Sequence, residues 1–195
     1  MRLNRPIFVA ALVVFSTHCF ASANDNAANG AYLPAQSAAD VLRTFAGADG
    51  AFLAADQVKS TPTYSKQNLA TLLSYPADQL VVVNLTGAQL KQAFERSHSL
   101  YPQENSSFLQ LSGFEVTFNK SAEPNSRVVK ATADGSPLDD HKTYTVAMPR
   151  LLGNGVLGYF KVWDKGQISK TFDNTIESIL LGKPYVATSP RWSPQ

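Results

Sequence analysis

Cysteine is nearly absent: the 195 residues hold one, Cys19, and it lies inside a stretch that reads as an export signal. Arg2 and Arg5 give a basic start, residues 7–15 an apolar run too short to span a bilayer, and Ala21-Ser22-Ala23 a small-residue cleavage site. Ser16, Thr17 and His18 interrupt the run, which argues against an uncleaved anchor, and His18 stands where a lipidation signal wants a small residue. Cleavage after Ala23 removes the thiol, which excludes disulfides, thiolate metal sites and thiol nucleophiles from the mature chain. It also removes the basic excess, because 17 Lys and Arg against 15 Asp and Glu become 15 of each. With no Lys/Arg cluster left, nucleic-acid binding through phosphate neutralisation loses its basis.

Histidine is scarce as well, and the mature chain keeps only His98 and His141, without metal-ligand spacing between them. A two-cation hydrolytic centre needs several Asp, His and Asn ligands around both ions. No metal ligand, no cofactor and no catalytic residue is therefore expected. Ser97 beside His98 does not make a nucleophile and base, since adjacent helical residues point in different directions. His98 itself is expected among polar neighbours near a helix end, favourably placed against the negative end of the helix dipole. Asp139, Asp140 and His141 read as a turn.

The organisation is that of one domain over residues 31–188, after a signal peptide (1–23) and a disordered leader rich in Asn, Ala and Asp (24–30), and before a short tail (189–195). A helix is predicted over 36–45 with Gly47 as a left-handed cap, then a brief strand at 50–53. Residues 68–73 make a helical turn or two, stopped by Ser74-Tyr75-Pro76. The β-branched run 80–85 is the strongest strand, and Thr86-Gly87-Ala88-Gln89 is a capping box that starts a helix over 87–97. Leu90, Ala93, Phe94 and Ser97 fall on one face of it. Beyond Pro102, Phe114, Val116 and Phe118 alternate with polar residues, and 128–132 is the natural hairpin partner. A strand at 144–148, a glycine-rich loop at 151–158 and a helix at 171–181 complete the chain. The pattern is α/β, of a mixed α+β kind, with a mixed sheet packed by helices.

Three blocks, in order, carry a family resemblance: NLATLLSY at 68–75, VNLTGAQL at 83–90, and FLQLSGFEVTF at 108–118 followed by TYTVAMPRLLGNG at 143–155. They resemble the C-terminal, substrate-recognition domain of the 5'-nucleotidase family, over nearly the whole mature chain. The resemblance implies a fold that holds the base and sugar of a nucleotide, while a separate metallophosphatase domain carries two metal ions and the hydrolysis. Only the recognition half is recognised in this sequence.

The resemblance also implies where a ligand would sit. The family clamps the base between two phenylalanines, and those positions are Tyr75 and Leu151 here, so the aromatic sandwich is at best one-sided. The family's Asn-Gly-Gly-Gly-Ile-Arg motif aligns with AADQVK at 54–59, which puts Lys59 in place of the arginine and loses its planar fork. A family aspartate becomes Leu157, and a further upstream arginine falls near Gly30. Asn154 and Gly155 remain from the loop. Each retained group also has a structural reading: Tyr75 as a packing aromatic beside Pro76, Lys59 as a solvated charge, and Gly153-Asn154-Gly155 as a turn needing positive backbone angles. The expected function is an exported, periplasmic or extracellular, non-catalytic binding module for a nucleoside, nucleotide or nucleotide sugar, free of the membrane after cleavage. The alternative is a recognition subunit that completes a nucleotide hydrolase with a separately encoded metallophosphatase.

Overall fold

The computed structural model describes residues 26–59, 65–186 and 189–195. The expected signal peptide lies outside the described residues. Helix α1 (Leu33–Ala46) has Pro34 in its first turn, where a missing N–H costs nothing, and closes on Gly47 at φ 63°. Ala35, Ala38, Ala39 and Leu42 form its buried stripe. Strand β1 (Gly50–Ala54) follows, then a 3-10 turn at Leu69–Leu72 capped by Asn68, whose side chain accepts from the Ala70 N–H.

Strand β2 (Gln79–Thr86) leads straight into α2 (Gly87–Ser97). The capping box forms as the spacing predicts: Thr86 Oγ1 accepts from the Gln89 N–H at 3.2 Å, and the Thr86 N–H donates to Gln89 Oε1 at 3.0 Å. Strands β3 (Leu109–Ser112), β4 (Phe114–Phe118), β5 (Val128–Ala133) and the two-residue β6 (Ser136–Pro137) come next. Then β7 (Thr143–Pro149) runs into a short helix α3 (Arg150–Gly153). The chain ends with β8 (Ile168–Thr175), α4 (Ile176–Leu180) and β9 (Trp192–Pro194).

The mixed α/β architecture is present, and its strands divide into two mixed sheets, ordered β3-β1-β7-β2-β8 and β6-β5-β4-β9. Within the first, β1 and β7 are parallel and β2 is antiparallel to both neighbours. That central place explains why Leu80, Val81, Val82 and Val83 are an unbroken apolar run: both faces of β2 are covered. An aromatic core joins the sheets to α2, with Phe52 5.7 Å from Phe114 and Phe94 5.7 Å from Trp192.

Four expectations are corrected. Residues 26–30 are held rather than loose: Gln110, buried on β3, donates to the carbonyls of Ala27 and Gly30, and the Asn105 N–H donates to Ala28 O. The tail contributes β9, parallel to β4, with Trp192 buried and its Nε1 donating to Leu109 O at 2.7 Å. The predicted helix over 171–181 begins only at Ile176, because 168–175 pair with the edge of β2 and Thr175 is the cap that accepts from Ser178 N. The loop expected at 151–158 starts inside α3, and of Gly153, Asn154 and Gly155 only Gly155 takes a positive φ.

Histidine 98 departs furthest from its reading. Its ring is fully buried, stacked 3.8 Å from Phe118 and set edge-on to Phe108 and Trp192. Neither ring nitrogen has a hydrogen-bond partner. Burial, reinforced by the nearby Arg127 guanidinium, pushes its pKa down to about 3, so it is neutral and has no charge to offer a helix dipole.

A candidate ligand site at the Tyr75 turn

The chain after β1 brings Asp56 and Lys59 beside the segment that ends in Tyr75. Residues 57–59 run antiparallel to 72–74: the Ser74 N–H donates to Gln57 O at 2.9 Å, the Lys59 N–H to Leu72 O at 2.9 Å, and Val58 bridges Leu73. Tyr75 then opens a turn to Asp78, whose N–H donates to Tyr75 O. The Tyr75 ring is 44% exposed, so it stands at the surface rather than in the core. Its hydroxyl meets the Asp56 carboxylate, which raises the phenol's pKa above the ordinary value by charge first and by hydrogen bond second.

Leu151 arrives from α3 through Asp78. Asp78 Oδ2 accepts from the Leu151 N–H at 3.0 Å and Oδ1 from the Gln79 N–H at 2.9 Å. Burial raises the Asp78 pKa, against the pull of those two N–H groups and of Arg150. Asp78 is thus the positioning residue that the sequence reading passes over. An acid ending a Tyr-Pro-Ala-Asp turn was its only local signal.

Lys59 is exposed, and its Nζ donates to Thr71 O at 3.0 Å. Asp56 thus meets the Tyr75 hydroxyl, Lys59 pairs with the segment before Tyr75, and Leu151 reaches the Tyr75–Asp78 turn through its N–H. Asn154 and Gly155 lie past the other end of α3: the Asn154 N–H donates to Arg150 O and the Gly155 carbonyl accepts from Phe160 N. Leu157, where the resemblance placed an aspartate, sits at φ 58°, a region that aspartate enters more readily than leucine. Its carbonyl accepts from Arg96 Nε at 2.9 Å and also from Arg96 Nη2, while the guanidinium lies over the Tyr159 ring.

Gly155 has a structural task of its own. At φ 84°, a Cβ there would come within 2.9 Å of Phe160 backbone atoms and of Trp163 O. Gly155→Ala is expected to destabilise the fold by more than about 1–2 kcal/mol, from backbone strain plus this clash. Urea unfolding checks it; an unchanged midpoint would show that the loop relaxes freely.

Among the described residues no group of three or more His, Cys, Asp or Glu is placed to hold a metal ion. The described residues do not fit a two-metal hydrolytic centre, which needs several such ligands around both ions. No helix among them is long and apolar enough to cross a membrane.

An α2 seeded from β2 and two mixed sheets packed by helices define the fold. The family model for the C-terminal domain of 5'-nucleotidase matches residues 16–164, and the chain belongs to that family. Human 5'-nucleotidase is 32% identical over 115 residues, which are 55% of this chain and 20% of that protein. The 5'-nucleotidase-related protein of Glossina morsitans morsitans is 39% identical over 99 residues, 46% of this chain and 18% of its own. The crystal structure of a 5'-nucleotidase precursor from Thermus thermophilus superposes with a TM-score of 0.71 at 20% identity, over 85% of this chain and 36% of that one. The chain spans about a fifth of the length of the curated relatives it matches.

Proposed function

We propose that this domain is an exported, non-catalytic binding module holding a nucleoside, nucleotide or nucleotide sugar at a degenerate site built on Tyr75 and Leu151. Export rests on the reading of residues 1–23. The observation that carries the rest is the state of the polar groups around Tyr75. Asp56 engages the tyrosine hydroxyl, Lys59 Nζ donates to Thr71 O, and Asp78 holds the Leu151 N–H. The two carboxylates are engaged by the chain itself, and Lys59 keeps its charge but lacks the planar fork that grips a phosphate bidentately. What stays free is the ring face of Tyr75 and the side chain of Leu151, which is 42% exposed. Such a surface binds by stacking and contact area rather than by charge.

A second reading, a recognition subunit that completes a nucleotide hydrolase with a separately encoded metallophosphatase, is favoured by one feature. Leu151, Val156 and Phe160 are all exposed within residues 151–160, after β7, Phe160 by 65%. Large exposed apolar groups in one stretch of chain suit a protein partner.

Thermal shift against adenosine, nucleoside monophosphates and nucleotide sugars tests the first reading. A ligand at ~100 times its dissociation constant adds about 2.7 kcal/mol of stability. Tyr75→Ala is expected to keep the fold and lose the shift. If no member of the panel shifts the wild type, the domain binds none of these ligands. Added manganese or zinc is expected to produce no phosphohydrolase turnover in the pure chain, and clear turnover would overturn the non-catalytic assignment.

A further inference from the structure

The buried stripe of helix α1 packs on β1 and β3, and beside it Val41, half-buried against the core, and Phe45, exposed and one turn on, line a cavity of about 440 Å³. The opposite wall is Ile179 of α4 with Val186 beyond it. None of these residues belongs to the Tyr75 site. Helix α4 separates the two: its first N–H groups, of Ile176 and Glu177, donate to Asp78 O and Pro76 O in the Tyr75 turn, and Ile179 faces the cavity.

The polar groups of this cavity are unequal. Asp40 is already saturated, with Arg191 Nη2 donating to both its oxygens at 2.7 and 2.9 Å and Ser112 Oγ to one at 2.6 Å. Ser37 Oγ accepts from the Val186 N–H and closes one end. Lys183, at the rim, has no carboxylate partner among the described residues. A second cation stands beyond the aromatic wall: Phe45 packs 5.3 Å from Phe172, and Lys170 Nζ lies 4.2 Å over the Phe172 ring. Arg191 and Asp40 cancel, which leaves Lys183 as the unpaired cation among the lining residues, over an apolar interior.

We propose that this cavity binds a single-chain amphiphile, with the aliphatic tail between α1 and α4 and an anionic head at Lys183. The volume is at the low end of the range for small-molecule sites, roughly 300–1,000 Å³, which suits one chain and excludes a two-chain lipid. Buried tail area supplies the affinity, and the head supplies the choice of ligand. This site is independent of the Tyr75 reading and stands or falls without it.

The test is titration calorimetry of the full chain with decanoate, decanol and decyltrimethylammonium, the two ions below their micelle concentrations and decanol below its solubility limit. Decanoate is expected to bind saturably, one per chain, decanol about tenfold more weakly for want of the charge-assisted contact, and the cation not at all. Lys183→Gln, at an exposed position that folding does not need, is expected to bring decanoate down to the level of decanol and leave decanol unchanged. Val41→Trp fills the space and is expected to abolish both. No saturable binding to the wild type overturns the proposal. Equal affinity for decanoate and decanol, unaffected by Lys183→Gln, overturns the role of the head. A wild-type dimer in sedimentation equilibrium that Val41→Trp makes monomeric also overturns it, because the cavity then receives a second copy.

Discussion

Acidification from pH 7 to pH 4 is expected to cost this fold about 3 kcal/mol through His98 alone, and His98→Phe to remove that loss. The ring is boxed by Phe108, Phe118 and Trp192 with both nitrogens unpartnered, and the cation nearest to it, Arg127, donates from Nη1 to the His98 carbonyl. Its folded pKa of about 3 lies below the ordinary value of 6.5. Between those values the unfolded chain takes up a proton that the native ring refuses, so stability rises with pH across the window. The contribution is complete above the unfolded pKa and falls away as pH drops from 6.5 towards 3. Asp49 does not confuse the reading. Burial raises its pKa, yet the Thr145 N–H and hydroxyl, with Lys142 and Arg43, outweigh that and hold it below 3.8, so its loss comes at lower pH. Urea unfolding at a series of pH values measures the slope. Wild type and His98→Phe with the same slope between pH 6.5 and 4 would show that the ring takes its proton in the native state.

The second large effect is expected at Trp163. Its ring is buried, stacked 4.4 Å from Tyr159 at 13° between planes, and its Nε1 donates to Leu152 O at 3.0 Å. Tyr159, fully buried, donates its hydroxyl to Ser107 O at 2.6 Å, and burial raises its pKa well above the phenol range. These two rings hold the segment that carries Leu151, Gly155 and Phe160 against the sheet. Trp163→Ala is expected to cost about 3–5 kcal/mol, chiefly from the cavity, since the Leu152 carbonyl keeps the Gly155 N–H at 2.8 Å. Trp163→Phe keeps the stack and is expected to recover the larger part. Chemical denaturation measures both, and a loss under about 1 kcal/mol for the alanine variant would mean that the loop closes over the space.

Local chemistry was legible where it is sufficient by itself. Thr86 and Gln89 announce α2 to the residue, Gly47 closes α1 as expected, and the alternation of 114–118 finds its partner in 128–133. Where the deciding contact is remote, the reading fails. Nothing near His98 signals that residues 108, 118 and 192 converge on it, so a scarce polar residue at a helix end looked solvated. The tail pairs with β4 from far along the sequence, and its prolines hid the strand. Polar residues over 168–175 suit an edge strand as well as a helix cap, and pairing with β2 settles which.

The candidate site divides the same way. Block order alone names Tyr75 and Leu151 as candidates, whereas Asp78, which links their backbones, and Asp56, which engages the tyrosine hydroxyl, emerge only from the fold. A sequence lists the groups at a site; it does not say which of them are already engaged by their own chain.

That engagement is the centre of the account, and titration calorimetry of adenosine against adenosine monophosphate on the full chain tests it most directly. With one Lys59 N–H held by Thr71 O and no planar fork in its place, the phosphate adds less than about tenfold. The two ligands are expected to bind weakly and within a few-fold of each other, both losing their heat with Tyr75→Ala. Adenosine monophosphate binding about tenfold or more tightly than adenosine, with Tyr75→Ala leaving that preference intact, would contradict it.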